Sequence, residues 1–320
     1  MRLSFDQIKS VTVGALSVKR EDDGIHFYKC TEKQIDAWYR QREGLGNGAR
    51  TTTGVRLDFI TNSEKIAFIA GCKGKFELHI DGLFRKQFHL NEENGFCAAY
   101  ELCDPLDNKK DNYRVTIILP SHGVGVIDSV EIDDGATVTP CKYDTRMLFV
   151  GDSITQGWKS LTDSYSYAYR VSSFFNAESV IQGIGGSYFN EETFDSIPFD
   201  PDTVLIAYGT NDFSHCKTKE ELMANAEAYL ELVAKEYAGK RVFVITPIWQ
   251  GRAKEREMGS FEDCCAIIAS IAKRLGLICI DGLTLVPRAP EMFCEDMLHP
   301  NELGFSLYAE NLIAQMIKVK

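Results

Sequence analysis

A chain of 320 residues with 44% hydrophobic and 25% charged side chains has the composition of a folded globular protein, which excludes the disordered, collagenous and coiled-coil classes. Its formal charge of −11, with no basic run to offset it, excludes nucleic acid as a partner, because such a surface repels phosphate backbones. The length favours two domains over one.

The N-terminal segment MRLSFDQIKSVTVGALSVKR places Arg2, Asp6 and Lys9 where a secretory leader would have an unbroken apolar stretch. No signal peptide is expected, and the expected compartment is the cytoplasm. The longest apolar runs, such as 242–245 and 277–280, fall far short of the roughly 20 residues that span a bilayer, so no membrane partner is expected. Ten scattered cysteines without CxxC spacing read as reduced, mostly buried thiols and not as a disulfide framework.

From 55 to 132 the pattern is short and alternating. Val55, Leu57 and Phe59 share one face of a strand, and Phe76, Leu78 and Ile80 share another. Residues 113–120 and 124–132 add two β-rich segments, with turns at Asp81-Gly82, Asn94-Gly95 and Asp134-Gly135. Period two with polar turns predicts an antiparallel β-sandwich or jelly roll, assigned to residues 1–145. His26, His79, His89 and His122 lie in this part with no partner visible in the sequence.

After 145 the rhythm changes to strand, loop, helix. Strands are predicted at 147–150, 179–181, 203–207, 241–245 and 277–280, and helices at 219–237, 261–275 and 302–317. In the first helix Leu222, Ala226, Tyr229, Leu230 and Val233 form one apolar stripe. Alternating βα units predict, for residues 146–320, a parallel sheet with helices on both faces and a ligand site beyond the carboxyl ends of its strands.

Four segments stand at such ends. Gly151-Asp152-Ser153 follows the first strand, where a sharp strand-to-helix turn exposes a serine hydroxyl; a helix cap by Asp152 or Ser153 is the plainer reading. Gln182-Gly183-Ile184-Gly185-Gly186-Ser187 follows the second, and its glycines permit a backbone N–H to approach an oxyanion, or simply a loop with positive φ. Tyr208-Gly209-Thr210-Asn211-Asp212 follows the third, where Asn211 offers a neutral amide donor or an Asx turn. Late in the chain, Asp296-Met297-Leu298-His299-Pro300 supplies a base, His299, and an acid, Asp296, to orient it. Taken in order, each block meets one requirement of acyl transfer.

The blocks GDSITQG, GIGG, GTND and DxxHP resemble the four consensus blocks of the SGNH, or GDSL-type, serine hydrolases, and the resemblance covers residues 146–320. It implies a flavodoxin-like three-layer α/β/α domain with Ser153 as nucleophile, His299 as general base and acid, and Asp296 as its orienting partner. The oxyanion hole would comprise the N–H groups of Ser153 and Gly186 and the side chain of Asn211. One position departs from the pattern: Ile181 stands where an Asn is common, which leaves Gly185 beside Gly186 as the block-two donor. A β-rich front domain joined to such a hydrolase is similar to the two-domain carbohydrate acetylesterases with an N-terminal jelly roll.

Aromatic residues near these blocks could stack on a sugar or pack locally: Trp158, Tyr165, Tyr167 and Tyr188. Trp249 and Arg252 follow the fourth strand and would line the acyl or alcohol pocket. No metal site is expected, since His215-Cys216 has no companion cluster and adjacent side chains point apart. The Cys264-Cys265 pair falls in a helix pattern and reads as core. The reading is a serine esterase that removes short acyl groups, acetyl foremost, from a sugar or oligosaccharide ester, with no cofactor. The alternatives are a lipase or thioesterase acting on longer chains, and a carbohydrate-binding protein with an inactive hydrolase half.

Overall fold

The structure, a computed structural model, describes residues 1–103 and 110–319. The chain forms two compact units. One gathers Met1–Lys29, Arg50–Tyr143 and Thr162–Ser164; the other gathers Cys30–Ala49, Asp144–Leu161 and Tyr165–Lys320.

The first unit opens with a short helix, α1 (Phe5–Ser10), whose start is set by a capping box between Ser4 and Gln7. Strands β1 (Thr12–Val13), β2 (Ser17–Glu21) and β3 (Gly24–Tyr28) follow. The chain then contributes two helices to the second unit, α2 (Glu32–Gln41) and α3 (Glu43–Arg50), the last residue excepted. The remaining strands of the first unit are β4 (Arg56–Thr61), β5 (Lys65–Ala70), β6 (Gly74–Ile80), β7 (Leu83–Leu90), β8 (Cys97–Glu101), β9 (Tyr113–Ile118), β10 (Val126–Ile132) and β11 (Thr139–Pro140).

These strands make two antiparallel sheets. One runs β1-β4-β9-β6-β7 with β11 beside β4, and the other runs β2-β3-β10-β5-β8. Leu57 and Phe59 of β4 and Phe76, Leu78 and Ile80 of β6 meet Ile25 and Phe27 of β3 and Ile66 and Phe68 of β5 in one buried cluster. That interleaving is what alternation buries in a two-layer sheet packing. The expected alternating segments lie in β4, β6, β9 and β10. No expected segment covers β1, β2, β3, β5, β7, β8 or β11: β2, β7 and β8 are mostly exposed and carry no clean apolar alternation, whereas β5 does alternate, with Ile66, Phe68 and Ala70 buried. The structure supplies partners that the sequence did not show: His26 meets Asp23 at 2.7 Å, His79 meets Glu77 at 3.3 Å and His89 meets Gln87 at 2.8 Å.

The second unit runs β12 (Thr145–Gly151), α4 (Ser153–Gln156), α5 (Tyr167–Phe174), β13 (Ala177–Gly183), β14 (Thr203–Ala207), α6 (Asp212–His215), α7 (Lys219–Glu236), β15 (Arg241–Ile245), α8 (Phe261–Arg274), β16 (Ile278–Ile280) and α9 (Glu302–Lys318). Its sheet is parallel throughout, in the order β13-β12-β14-β15-β16. That is the flavodoxin-like order, in which the chain reverses direction at the first strand and opens a crevice there. Phe149, Ile181, Leu205 and Phe243 bury one face of the sheet against α5 and α9. Helices α7 and α8 pack on each other, with Leu222, Leu230 and Ile268 fully buried. Cys264 and Cys265 of α8 are buried as well.

The domain boundary expected at 145 assigns residues 30–49 to the β-rich domain. Hydrogen bonds between distant positions place them instead in the second unit. Thr31, the N-cap of α2, donates to Asp195 at 2.7 Å, and the amides of Gln34 and Gln182 bond reciprocally at 3.2 and 3.0 Å. Among the described residues no helix is long and apolar enough to cross a membrane.

Candidate active site

The crevice beyond β12 and β14 receives the four sequence blocks. Gly151 ends β12 and Asp152 caps α4, its carboxylate accepting the Ile154 N–H at 2.9 Å. The cap reading therefore applies to Asp152, not Ser153. As the first residue of α4, Ser153 has an N–H with no intrahelical acceptor and a hydroxyl not engaged in capping. Ser153 Oγ meets His299 Nε2 at 2.8 Å, and His299 Nδ1 meets Asp296 Oδ2 at 2.6 Å. The second Asp296 oxygen accepts the N–H groups of Leu298 and His299, both at 3.0 Å. Met297, at φ +54°, makes the tight bend that lets an acid three residues earlier reach the ring; such a φ is uncommon without a glycine and marks a constrained loop.

Electrostatics follow from this geometry. Burial holds the His299 imidazole below its ordinary value, Asp296 pulls it back up, and the charges of Arg252 and Lys159 push it down further. Burial alone would raise the Asp296 carboxyl, yet the His299 ring and the two N–H donors hold it down, to about 2. At neutral pH this leaves a neutral imidazole and an ionised carboxylate, the protonation state of a general base and its orienting acid.

The glycine loop packs onto α4. A Cβ on Gly183 would lie 2.6 Å from Gln156 Cα, so only glycine lets β13 approach that closely. The next residues form a turn in which Ser187 N–H bonds Ile184 C=O at 3.1 Å, and Gly186 sits at φ +84°. The Gly185 N–H is engaged, donating to Gln156 Oε1 at 2.8 Å, whereas the Gly186 N–H has no acceptor among the described residues. The Asn211 amide donates one N–H to Ser187 C=O at 2.9 Å, which fixes its plane and leaves the other N–H available. Beneath it Asp212 is buried and accepts the N–H groups of Phe189 and Gly209, both at 3.0 Å; burial pushes its carboxyl up to about 7.

The aromatic candidates divide. Trp158 is 41% exposed, with its ring centre 6.4 Å from that of His299. Tyr188 stands edge-on to Trp38 and His215, and its hydroxyl bonds Gln41 at 3.2 Å. Trp249 is half-buried against Phe293, and Arg252 is exposed but close enough for its charge to reach His299. Tyr165 lies on the surface under Arg170. Tyr167 is fully buried and stacks on Tyr308 at 4.1 Å, so it is a core residue and no sugar platform. His215 and Cys216 form no metal cluster among the described residues. The one set of three such side chains among the described residues close enough to share a metal ion is Glu21, Asp23 and His26 in the first unit.

Sequence reasoning missed Gln41 and Arg42. A Cβ on Gly186 would lie 3.0 Å from Arg42 Nη2, so this guanidinium borders the glycine loop. The T-x-x-Q capping box of α2 at Thr31 and Gln34 was the legible signal of a helix here, but no motif marked its C-terminal arginine.

A flavodoxin-like sheet with a Ser–His–Asp hydrogen-bonded chain at its switch point defines the serine hydrolase class. Over residues 149–307 the chain belongs to the GDSL-like Lipase/Acylhydrolase family, a group of carboxylic ester hydrolases. It is 25% identical over 207 residues to an acetylxylan esterase of Xylanibacter ruminicola, a match covering 54% of this chain and 43% of that protein. The chain thus spans less than half the length of that relative. Among solved structures, the salicylyl-acyltransferase SsfX3 from a tetracycline biosynthetic pathway shares the fold with TM-score 0.80 at 16% identity, covering 96% of this chain and 95% of that one. A family two carbohydrate esterase from Clostridium thermocellum does so with TM-score 0.64 at 17% identity, covering 83% and 92%.

Proposed function

We propose that the protein is a serine esterase that removes short acyl groups, acetyl foremost, from a carbohydrate. The observation that carries this reading is the continuous chain from Ser153 Oγ through both His299 nitrogens to Asp296. In it, Ser153 Oγ attacks the ester carbonyl carbon while His299 Nε2 takes the hydroxyl proton. The N–H groups of Ser153, Gly186 and Asn211 hold the oxyanion. His299 then protonates the departing sugar oxygen as the C–O bond breaks, leaving an acyl-serine. Water, deprotonated by His299, attacks that ester, and the proton returns to Ser153 as the carboxylic acid leaves. The acetylxylan esterase likeness supports the carbohydrate acetyl ester as substrate. We read Trp158, Tyr188, Trp249 and Arg252 as its lining, and the two-sheet unit as a jelly roll.

The test is acetate release by the full chain from acetylated mono- and oligosaccharides, alongside p-nitrophenyl esters of two and eight carbons. The reading expects sugar acetates and the two-carbon ester to be cleaved and the eight-carbon ester to lag. It also expects Ser153→Ala to lose about 10⁶-fold in kcat, as in other triad enzymes. A faster eight-carbon ester would favour a lipase or thioesterase, and full activity in the variant would remove Ser153 from the mechanism.

A further inference from the structure

A pocket of about 290 Å³ opens in the second unit between the end of α2, the loop at Tyr188 and the start of α7. Its walls include Gln41, Arg42, Tyr188, His215, Glu221 and Asn225. It adjoins the reaction centre through two loops already described. Arg42 borders Gly186, and a Cβ on the preceding residue, Gly185, would lie 3.8 Å from Ser153 Cβ. Asp212, which follows Asn211, also lines the pocket.

The lining is chemically mixed. Gln41 bonds Tyr188 and Glu192, Asn225 donates to Cys216 Sγ and Glu221 accepts the Lys217 N–H, and each keeps a further donor or acceptor; Arg42 only donates, and the Tyr188 and His215 rings meet edge-on at 5.2 Å. The Arg42 guanidinium is exposed and forms no ion pair or hydrogen bond among the described residues, so five N–H groups remain to be satisfied by water or ligand. A purely apolar acyl chain would waste those groups. A carboxylate would meet Arg42 but face Glu221. A ring of hydroxyls, each both donor and acceptor, matches donors and acceptors interleaved beside aromatic faces. The volume lies just below the roughly 300 Å³ at which drug-sized pockets begin, and suits a single sugar ring.

Resting on the esterase reading above, we infer that this pocket is the alcohol subsite: it holds the sugar ring bearing the ester, and Arg42 is a specificity-determining residue that hydrogen-bonds its hydroxyls. Residues 30–49 thus supply the hydrolase unit with a substrate wall that none of the four sequence blocks encodes.

The test compares wild type with Arg42→Ala, Arg42→Lys and Asn225→Leu in the full chain. Each is assayed on monoacetylated methyl pyranosides and on p-nitrophenyl acetate and butyrate, after circular dichroism confirms folding. The ratio of kcat/KM on the best glycoside acetate to that on p-nitrophenyl acetate is the readout. Arg42→Ala should lower it about 10- to 100-fold, the worth of hydrogen bonds to a charged donor, mainly through KM. Arg42→Lys should recover part of the loss, and Asn225→Leu should lower the ratio as well. An unchanged ratio in both Arg42→Ala and Asn225→Leu overturns the assignment. A shift confined to the butyrate-to-acetate ratio also overturns it, by making the pocket the acyl site. If wild type cleaves p-nitrophenyl acetate but no acetylated pyranoside, the carbohydrate reading itself fails. If it cleaves neither, the esterase reading fails.

Discussion

At the scale of single residues, the reactive unit is a proton path with two ends of different character. Asp296 is ionised because three donors outweigh its burial, and His299 is neutral because burial and two nearby cations outweigh Asp296. A base held below its ordinary value of 6.5 stays competent in mild acid. Because only the neutral imidazole can accept the Ser153 proton, kcat/KM should rise with pH through an acid limb centred below 6.5 and then level off. Asp296→Asn removes the acceptor of the Nδ1 proton and should cost about 10⁴-fold, with the same limb moving further toward acid because the carboxylate that raises His299 is gone. A pH–rate profile of wild type and variant checks both; a midpoint above 6.5 in wild type would contradict the burial argument.

At the scale of elements, the nucleophile is positioned by how closely two strand ends approach. Helix α4 has four residues and little stability of its own, so its place depends on Gly183 packing against its backbone and on Gly151 leaving room for the Thr155 side chain. An alanine methyl at Gly183 would meet Gln156 Cα at 2.6 Å and the Thr155 carbonyl carbon at 2.7 Å, and backbone atoms cannot rotate out of the way. Gly183→Ala should therefore push α4 and lower kcat by about 10²-fold, the loss that a displacement of about 1 Å produces, while costing about 1–3 kcal/mol of stability as an overpacked site does. Turnover and urea unfolding of the purified variant test this, and wild-type turnover would mean that α4 tolerates the shift. Helices α2 and α3 act at the same scale: their capping box and the Gln34–Gln182 pair hold them against the hydrolase sheet, and Arg42 is delivered from the C-cap of α2.

At the scale of the molecule, stability rests on two cores and on a few buried polar knots. In the β unit, Asp58 accepts from Arg114 at 3.0 and 2.6 Å, from Thr116 at 3.0 Å and from the Tyr143 hydroxyl, with Arg56 buried 3.7 Å away. Burial would raise this carboxyl, but the Arg114, Arg56 and Tyr143 partners hold it well below the ordinary 3.8. Its contribution is therefore present above pH 3.8 and is lost only as acid reaches the depressed value. Asp58→Ala would remove the carboxylate shared by buried Arg56 and half-buried Arg114 and should cost about 3–5 kcal/mol. Urea denaturation of the full chain at neutral pH checks this, and a loss under about 1 kcal/mol would show that water replaces the carboxylate, as at an exposed pair.

What could be read from the amino-acid order alone was whatever depends on near neighbours. Period-two alternation marked β4, β6, β9 and β10, because a strand turns successive side chains to opposite faces. The βα rhythm marked the parallel sheet, and the four blocks marked its loops, because strand-end chemistry is written in a few consecutive residues. Asp296 and His299 are three apart, so their pairing was legible locally. Tertiary structure decided what depends on distant ones. Gln34 finds Gln182 across 148 positions, which moved residues 30–49 into the hydrolase unit. Gln156 captures the Gly185 N–H, which distinguishes that donor from Gly186. Tyr308 stacks on Tyr167, which decides between the sugar-stacking and packing roles that the sequence left open for it in favour of packing. Arg42 reaches Gly186 only because two segments some 140 residues apart share one crevice. No local pattern specifies such meetings, since each is the outcome of how the helices and loops pack around the sheet.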